Sequence, residues 1–161
     1  MKDYSFKETQ KFNQLWIWIP LVLIAGIVFF SPYGLEEVKY IDLLIPMGII
    51  GLVFALFLSM VLKTTIDTNS LAFSYFPFIR KRKYNFKEIE SMELKKYNSP
   101  WEYGGWGIRY NFDSWAYNTG GKFGILVKTK DKKFLLGTHK PEEAKIAIGV
   151  FEEYKSRNHG S

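Results

Sequence analysis

An α+β chain is expected, with a two-helix transmembrane hairpin in front of an antiparallel barrel or sandwich and an amphipathic helix at the C-terminus. Three features point to it. Two long uncharged runs stand near the N-terminus, short alternating segments bounded by turn residues fill the middle, and one helical apolar stripe occupies the end. A mean hydropathy of −0.10 conceals this division, because the long uncharged stretches lie before Lys63 and most of the charge after it.

No residue is charged between Lys11 and Glu36, and the centre of that run, LWIWIPLVLIAGIVFF, is apolar throughout. A second uncharged run, LLIPMGIIGLVFALFLSMVL, lies between Asp42 and Lys63. About 20 apolar residues at ~1.5 Å rise cover the roughly 30 Å hydrocarbon core of a bilayer, so spans are expected at about 13–34 and 41–62. The leading segment carries Asp3 and Glu8, and FFSPYG lacks a small-x-small cleavage pattern, which favours an uncleaved hairpin over a signal peptide. Pro32 and Gly34 supply turn chemistry for the connection. Trp16 and Trp18 at one end, with Tyr33 and Tyr40 at the other, occupy positions expected of interfacial aromatics.

Basic residues set the expected orientation. Lys2, Lys7 and Lys11 precede the first run and Lys63, Arg80, Lys81, Arg82 and Lys83 follow the second, whereas the loop between has Lys39 beside Glu36, Glu37 and Asp42. The positive-inside rule then places both termini in the cytoplasm and the chain as a multi-pass protein of the cell (inner) membrane. Gly51, Ala55 and Ser59 recur every four residues and share one helix face, a ridge that admits either the first helix of the same chain or a second copy. Residues 1–62 thus read as a hairpin segment and 63–161 as a cytoplasmic domain.

In the second part, LAFSYFPFI, bounded by DTNS, suits a strand paired with LKTTID. IESMELKKY alternates loosely. KFGILVKT places Phe123, Ile125, Val127 and Thr129 on one face before KDKK turns the chain into FLLG. Trp106, Ile108, Tyr110 and Phe112 alternate with Gly107, Arg109, Asn111 and Asp113, and Trp115 and Tyr117 alternate with smaller residues after the FDS turn, so a hairpin with a core-facing aromatic side is expected. SPWEYGG lies outside that alternation and has loop composition. From about 140 to 155 the period becomes helical: Ala144, Ala147, Ile148, Phe151 and Tyr154 form a stripe, with Pro141, Glu142 and Glu143 suited to a first turn.

The motif track GGWGIR, AYN and GILVKTKDKKFLLGTHKPEE resembles that of small bacterial pleckstrin-homology-like membrane proteins, in which one or two transmembrane helices precede a pleckstrin-homology-like barrel. The resemblance covers roughly residues 63–155. It implies that fold and a membrane location, and it carries no catalytic residues.

Chemistry is sparse. There is no cysteine, and His139 and His159 are the only histidines, so no metal site, cofactor or nucleophilic thiol is expected. YGGWGI matches no phosphate-binding glycine spacing. The carboxylate pairs Glu36/Glu37, Glu142/Glu143 and Glu152/Glu153 are sequence neighbours on loops or a solvated helix face and lack the convergence that acid–base work needs. A membrane-bound hydrolase would require a pocket joining Asp113, Ser114 and His139. The net charge of +6 suits an anionic partner, and no nucleic-acid motif is present. The function expected is therefore that of a non-enzymatic, membrane-tethered binding or assembly module that captures a protein segment. Trp101, Tyr103, Arg109 and Asn111 are the candidate partner contacts. Arg80, Lys81, Arg82 and Lys83 are the candidate contacts to lipid, with recognition of an anionic headgroup as the alternative. Self-association through Gly51, Ala55 and Ser59 is the further partner expectation.

Overall fold

The computed structural model describes residues 5–12, 15–30 and 40–159. The loop carrying Pro32, Tyr33 and Gly34 lies outside them. The chain divides into two compact units, one of Met1–Lys11 with Val61–Ser161 and the other of Phe12–Met60.

The second unit holds helices α1 (Leu15–Phe30) and α2 (Tyr40–Ser59). Trp18 lies against Phe54 with ring centroids 5.7 Å apart, and Phe12 meets Phe57 edge-on at 5.7 Å. The Trp18 indole N–H donates to the Phe12 carbonyl at 3.3 Å, so Trp18 serves the packing of the helix pair rather than an interface with lipid.

Among the described residues no helix is long and apolar enough to cross a membrane. This overturns the transmembrane hairpin, the multi-pass inner-membrane location and the termini assigned from it. For the second run the physical reason is that it is longer than the helix made from it. The uncharged part of α2 begins after Asp42 and stops at Ser59, roughly 25 Å, because Val61 and Leu62 already belong to a strand. That falls short of the roughly 30 Å hydrocarbon core.

The other unit is α+β. Its first sheet orders β1 (Phe6–Lys11), β2 (Val61–Ile66), β3 (Ser70–Phe76) and β4 (Ile79–Asn85) as consecutive antiparallel neighbours. Strand β1 stands in the sequence as the charged flank of an apolar run, with no apolar period of its own. Its side chains alternate strictly, with Phe6, Glu8 and Gln10 buried and Lys7, Thr9 and Lys11 exposed. The basic run Arg80, Lys81, Arg82 and Lys83 forms most of β4, an edge strand.

The second sheet contains β5 (Ile89–Lys96), β6 (Gly107–Tyr110), β7 (Trp115–Asn118), β8 (Phe123–Thr129) and β9 (Lys133–Thr138) in the order β5-β8-β9-β7-β6. All neighbours are antiparallel except β7 and β9, which run parallel. Two open sheets with free edges replace the expected pleckstrin-homology-like barrel behind a hairpin. Their facing sides meet through Phe73, whose ring lies 4.9 Å from Tyr117 and 5.3 Å from Phe134. On the opposite face of the second sheet, Tyr97 and Tyr103 pack with Ala116 and Leu135. Helix α4 (Pro141–His159) buries Ala144, Ala147, Ile148 and Phe151 and sets Phe151 and Tyr154 edge-on against Phe86.

Candidate functional site

The aromatic-rich stretch folds as a short helix followed by a hairpin. Residues SPWEY form α3 (Ser99–Tyr103), with Pro100 in the first turn and Gly104 closing it at a φ of 68°, a left-handed conformation that glycine adopts without steric cost. Asn98 donates its backbone N–H to Glu102 Oε1 at 2.8 Å, and Lys95 Nζ donates to Glu102 Oε2 at 3.1 Å. These bonds hold the Glu102 carboxyl below the usual carboxylate range, the backbone bond contributing most and slight desolvation opposing.

Asn118 is fully buried and ties α3 to the hairpin. Its amide donates to Ser99 Oγ at 3.0 Å, its side-chain oxygen accepts from the Gly107 N–H at 3.1 Å, and its carbonyl accepts from the Tyr75 hydroxyl at 3.0 Å. Desolvation raises both the Tyr75 and Tyr97 phenols well beyond the usual tyrosine range, so both stay neutral donors. Gly137 passes so close that a Cβ there would stand 2.7 Å from that of Asn118.

Most of the sequence-chosen partner contacts are engaged in this architecture. Tyr103 is buried, with its hydroxyl 3.0 Å from Ser114 Oγ. Asn111 turns its side-chain oxygen back to the N–H groups of Asp113 and Ser114 at 3.2 and 2.9 Å, a local turn lock. Arg109 is exposed and donates from Nε to the Trp106 carbonyl at 3.1 Å. Trp101 alone of the four is an open apolar surface, 88% exposed on α3.

The hairpin reverses another expectation. Tyr110, Phe112 and Trp115 are exposed rather than core-facing. Tyr110 is the register partner of Trp115, with centroids 5.1 Å apart. Phe112 lies 6.1 Å beyond Tyr110, and Trp115 stacks on Tyr117 at 6.5 Å. An aromatic row therefore runs from solvent at Phe112 to the core at Tyr117.

This row forms one wall of a groove of about 500 Å³. Ile108, Tyr110, Trp115 and Tyr117 come from the hairpin, Ile79, Arg82 and Tyr84 from β4, and Phe134 from β9. The groove thus lies between two strands, β4 and β6, that are each the free edge of a sheet. Lys133 closes one end through a 2.6 Å ion pair with Asp113. Burial raises the Tyr117 phenol, with the Arg82 charge opposing. Of the basic run, only Arg82 faces the groove. Ile79, Tyr84 and Phe134 escaped notice in the sequence because nothing local marks strands from different sheets as neighbours.

The hydrolase constellation is not assembled. Ser114 is buried against Tyr103 and Asn111, and Asp113 pairs with Lys133. Trp115 is the register partner of Phe134, whereas His139 follows the far end of β9, roughly 17 Å onward at ~3.3 Å per residue. Among the described residues no cluster of His, Asp or Glu is arranged to hold a metal ion.

No protein-family model and no curated protein matches the chain. The resemblance to bacterial pleckstrin-homology-like membrane proteins is therefore unsupported by any family match, and the helices of the structure contradict the membrane half of it.

Proposed function

We propose that the chain is a non-enzymatic binding module that captures an extended protein segment in the groove between β4 and the β6–β7 hairpin. The observation that carries this reading is the exposed row of Phe112, Tyr110 and Trp115 beside the unpaired edge of β4. Exposed aromatics provide large contact areas at low side-chain entropy cost, and an open strand edge offers backbone N–H and C=O groups to an added strand. Selection of displayed random peptides on the full chain tests it. Enriched peptides should bind wild type and lose at least about tenfold in affinity to Tyr110→Ala or Trp115→Ala, a loss of roughly 1.4 kcal/mol. Absence of enrichment, or equal binding to the variants, contradicts the reading.

A second reading is self-association through the Gly51, Ala55 and Ser59 face of α2. Gly51 and Ala55 are exposed, no side chain among the described residues approaches the position of a Gly51 Cβ, and Leu44, Leu52 and Leu58 nearby are at least 64% exposed. Because the chain has no cysteine, Ala55→Cys is a clean reporter. Oxidation should link two copies, and a species that stays monomeric contradicts this reading.

A further inference from the structure

We infer that the captured segment is acidic, with negative side chains placed within a few residues of the one that enters the aromatic groove. This rests on the groove reading above and names the chemistry of its partner. A second concavity of about 390 Å³ adjoins the groove, and Tyr84, Asp131 and Lys132 line both. The two depressions are thus continuous along β4 and the turn between β8 and β9.

Their characters differ. The groove has an aromatic wall. The second concavity gathers Lys83, Lys87, Lys130 and Lys132 against Glu88 and Asp131. None of the four lysines appears in an ion pair among the described residues, unlike Lys128, which pairs with Glu90 at 3.0 Å, and Lys133. Glu88 accepts the Asn85 backbone N–H at 2.9 Å, which fixes its carboxylate beside the 3-10 turn. Four ammonium groups therefore share the recess with two carboxylates, an excess of positive charge. Lysine ammonium groups act as adaptable point charges and suit carboxylate or phosphate carried on a flexible chain.

Geometry and edge chemistry agree with this. An extended segment advances ~3.3 Å per residue, so a chain leaving the aromatic wall past Tyr84 reaches the lysines within roughly three residues. The edge itself, with Arg80, Lys81, Arg82 and Lys83 exposed, repels a second basic strand, as charged side chains do on protected sheet edges. An acidic strand turns the same charges into attraction, which gives selectivity by repulsion as well as by contact.

The test measures fluorescence anisotropy of labelled 12-residue peptides with the full chain. The probes are an aromatic core followed by glutamates, the same core followed by glutamines, and the same core followed by phosphoserine. The glutamate and phosphoserine peptides should bind at least about tenfold tighter than the glutamine peptide and weaken with rising salt. Combined Lys87→Gln, Lys130→Gln and Lys132→Gln should remove that preference, while Lys128→Gln leaves it unchanged. All four positions are exposed, and circular dichroism verifies the folded state. Equal binding of all three peptides overturns the inference while leaving the groove reading intact. Absence of any peptide binding removes the groove reading itself. Saturable binding to anionic vesicles through the same lysines, without peptide discrimination, overturns the inference in favour of a headgroup ligand.

Discussion

At Phe112 the backbone and the side chain make opposite demands. Its φ of 67° lies in the left-handed region, and its ring is 94% exposed, so an unfavourable conformation of order 1 kcal/mol presents an apolar ring to water. Folding alone does not account for that combination, but a ring that extends the aromatic wall does. Phe112→Gly should leave the melting temperature unchanged or slightly higher while weakening the groove peptides severalfold; a melting temperature lowered in step with binding would show that the ring serves the fold. Glu102 supports a prediction about pH. Its carboxyl is held below the usual range in the folded chain, so its stabilisation of the α3 turn is complete above the unfolded value of about 4.3 and is lost as pH falls through the lower folded value. The Asn98 amide shift should report that titration by NMR in wild type and not in Glu102→Gln. The hairpin was legible in the sequence, but its first strand is only Gly107–Tyr110 rather than the whole of Trp106 to Phe112, and which side faces solvent was not legible. A period of two fixes which residues share a face and leaves open whether a second sheet covers it.

At the scale of elements, β1 shows how a strand hides in sequence. FKETQK alternates, but two of its three inward residues are polar, so no apolar period appears. Burial of Glu8 and Gln10 is made possible by partners more than a hundred residues away. Glu8 accepts from the Thr138 hydroxyl at 2.7 Å and from the His139 N–H at 2.8 Å, while Gln10 donates to the Gly137 carbonyl at 2.6 Å and accepts from Thr119 at 3.0 Å. Because these bonds join the two sheets, removing one partner leaves buried groups unsatisfied. Glu8→Ala should cost about 1–3 kcal/mol, seen as a lower urea midpoint at unchanged slope. An unchanged midpoint would mean that water replaces the carboxylate without loss. By contrast, α4 was readable from sequence, because an amphipathic helix writes its buried face into one continuous period. The buried stripe of Ala144, Ala147, Ile148 and Phe151 is the one the period marks.

Across the whole molecule, the two-unit division explains why the apolar runs dominated the sequence reading and why their lengths misled it. Unbroken hydrophobicity does not record where a helix stops, and the second run is divided between α2 and β2, with Leu62 fully buried in the sheet. The sheet unit is discontinuous, but its two pieces pair along the whole of β1, and that register ends with Lys11 opposite Val61. Residues facing each other across antiparallel strands lie roughly 5 Å apart, a gap that a two-residue turn closes. Replacement of Phe12–Met60 by Asn-Gly should therefore give a folded unit with a cooperative urea transition. A chain without such a transition would show that the helical unit is needed for the sheets to form.

The central claim is that a protein segment occupies the groove and extends the edge of β4. Hydrogen–deuterium exchange of the full chain, with and without a selected groove-binding peptide, tests it most directly. Because strand addition engages edge amides that are otherwise open to solvent, the account expects new protection in Ile79–Asn85 and in the aromatic hairpin from Gly107 to Asn118. Bound peptide that protects α3 or α4 instead, leaving β4 exchanging at its free rate, would contradict it.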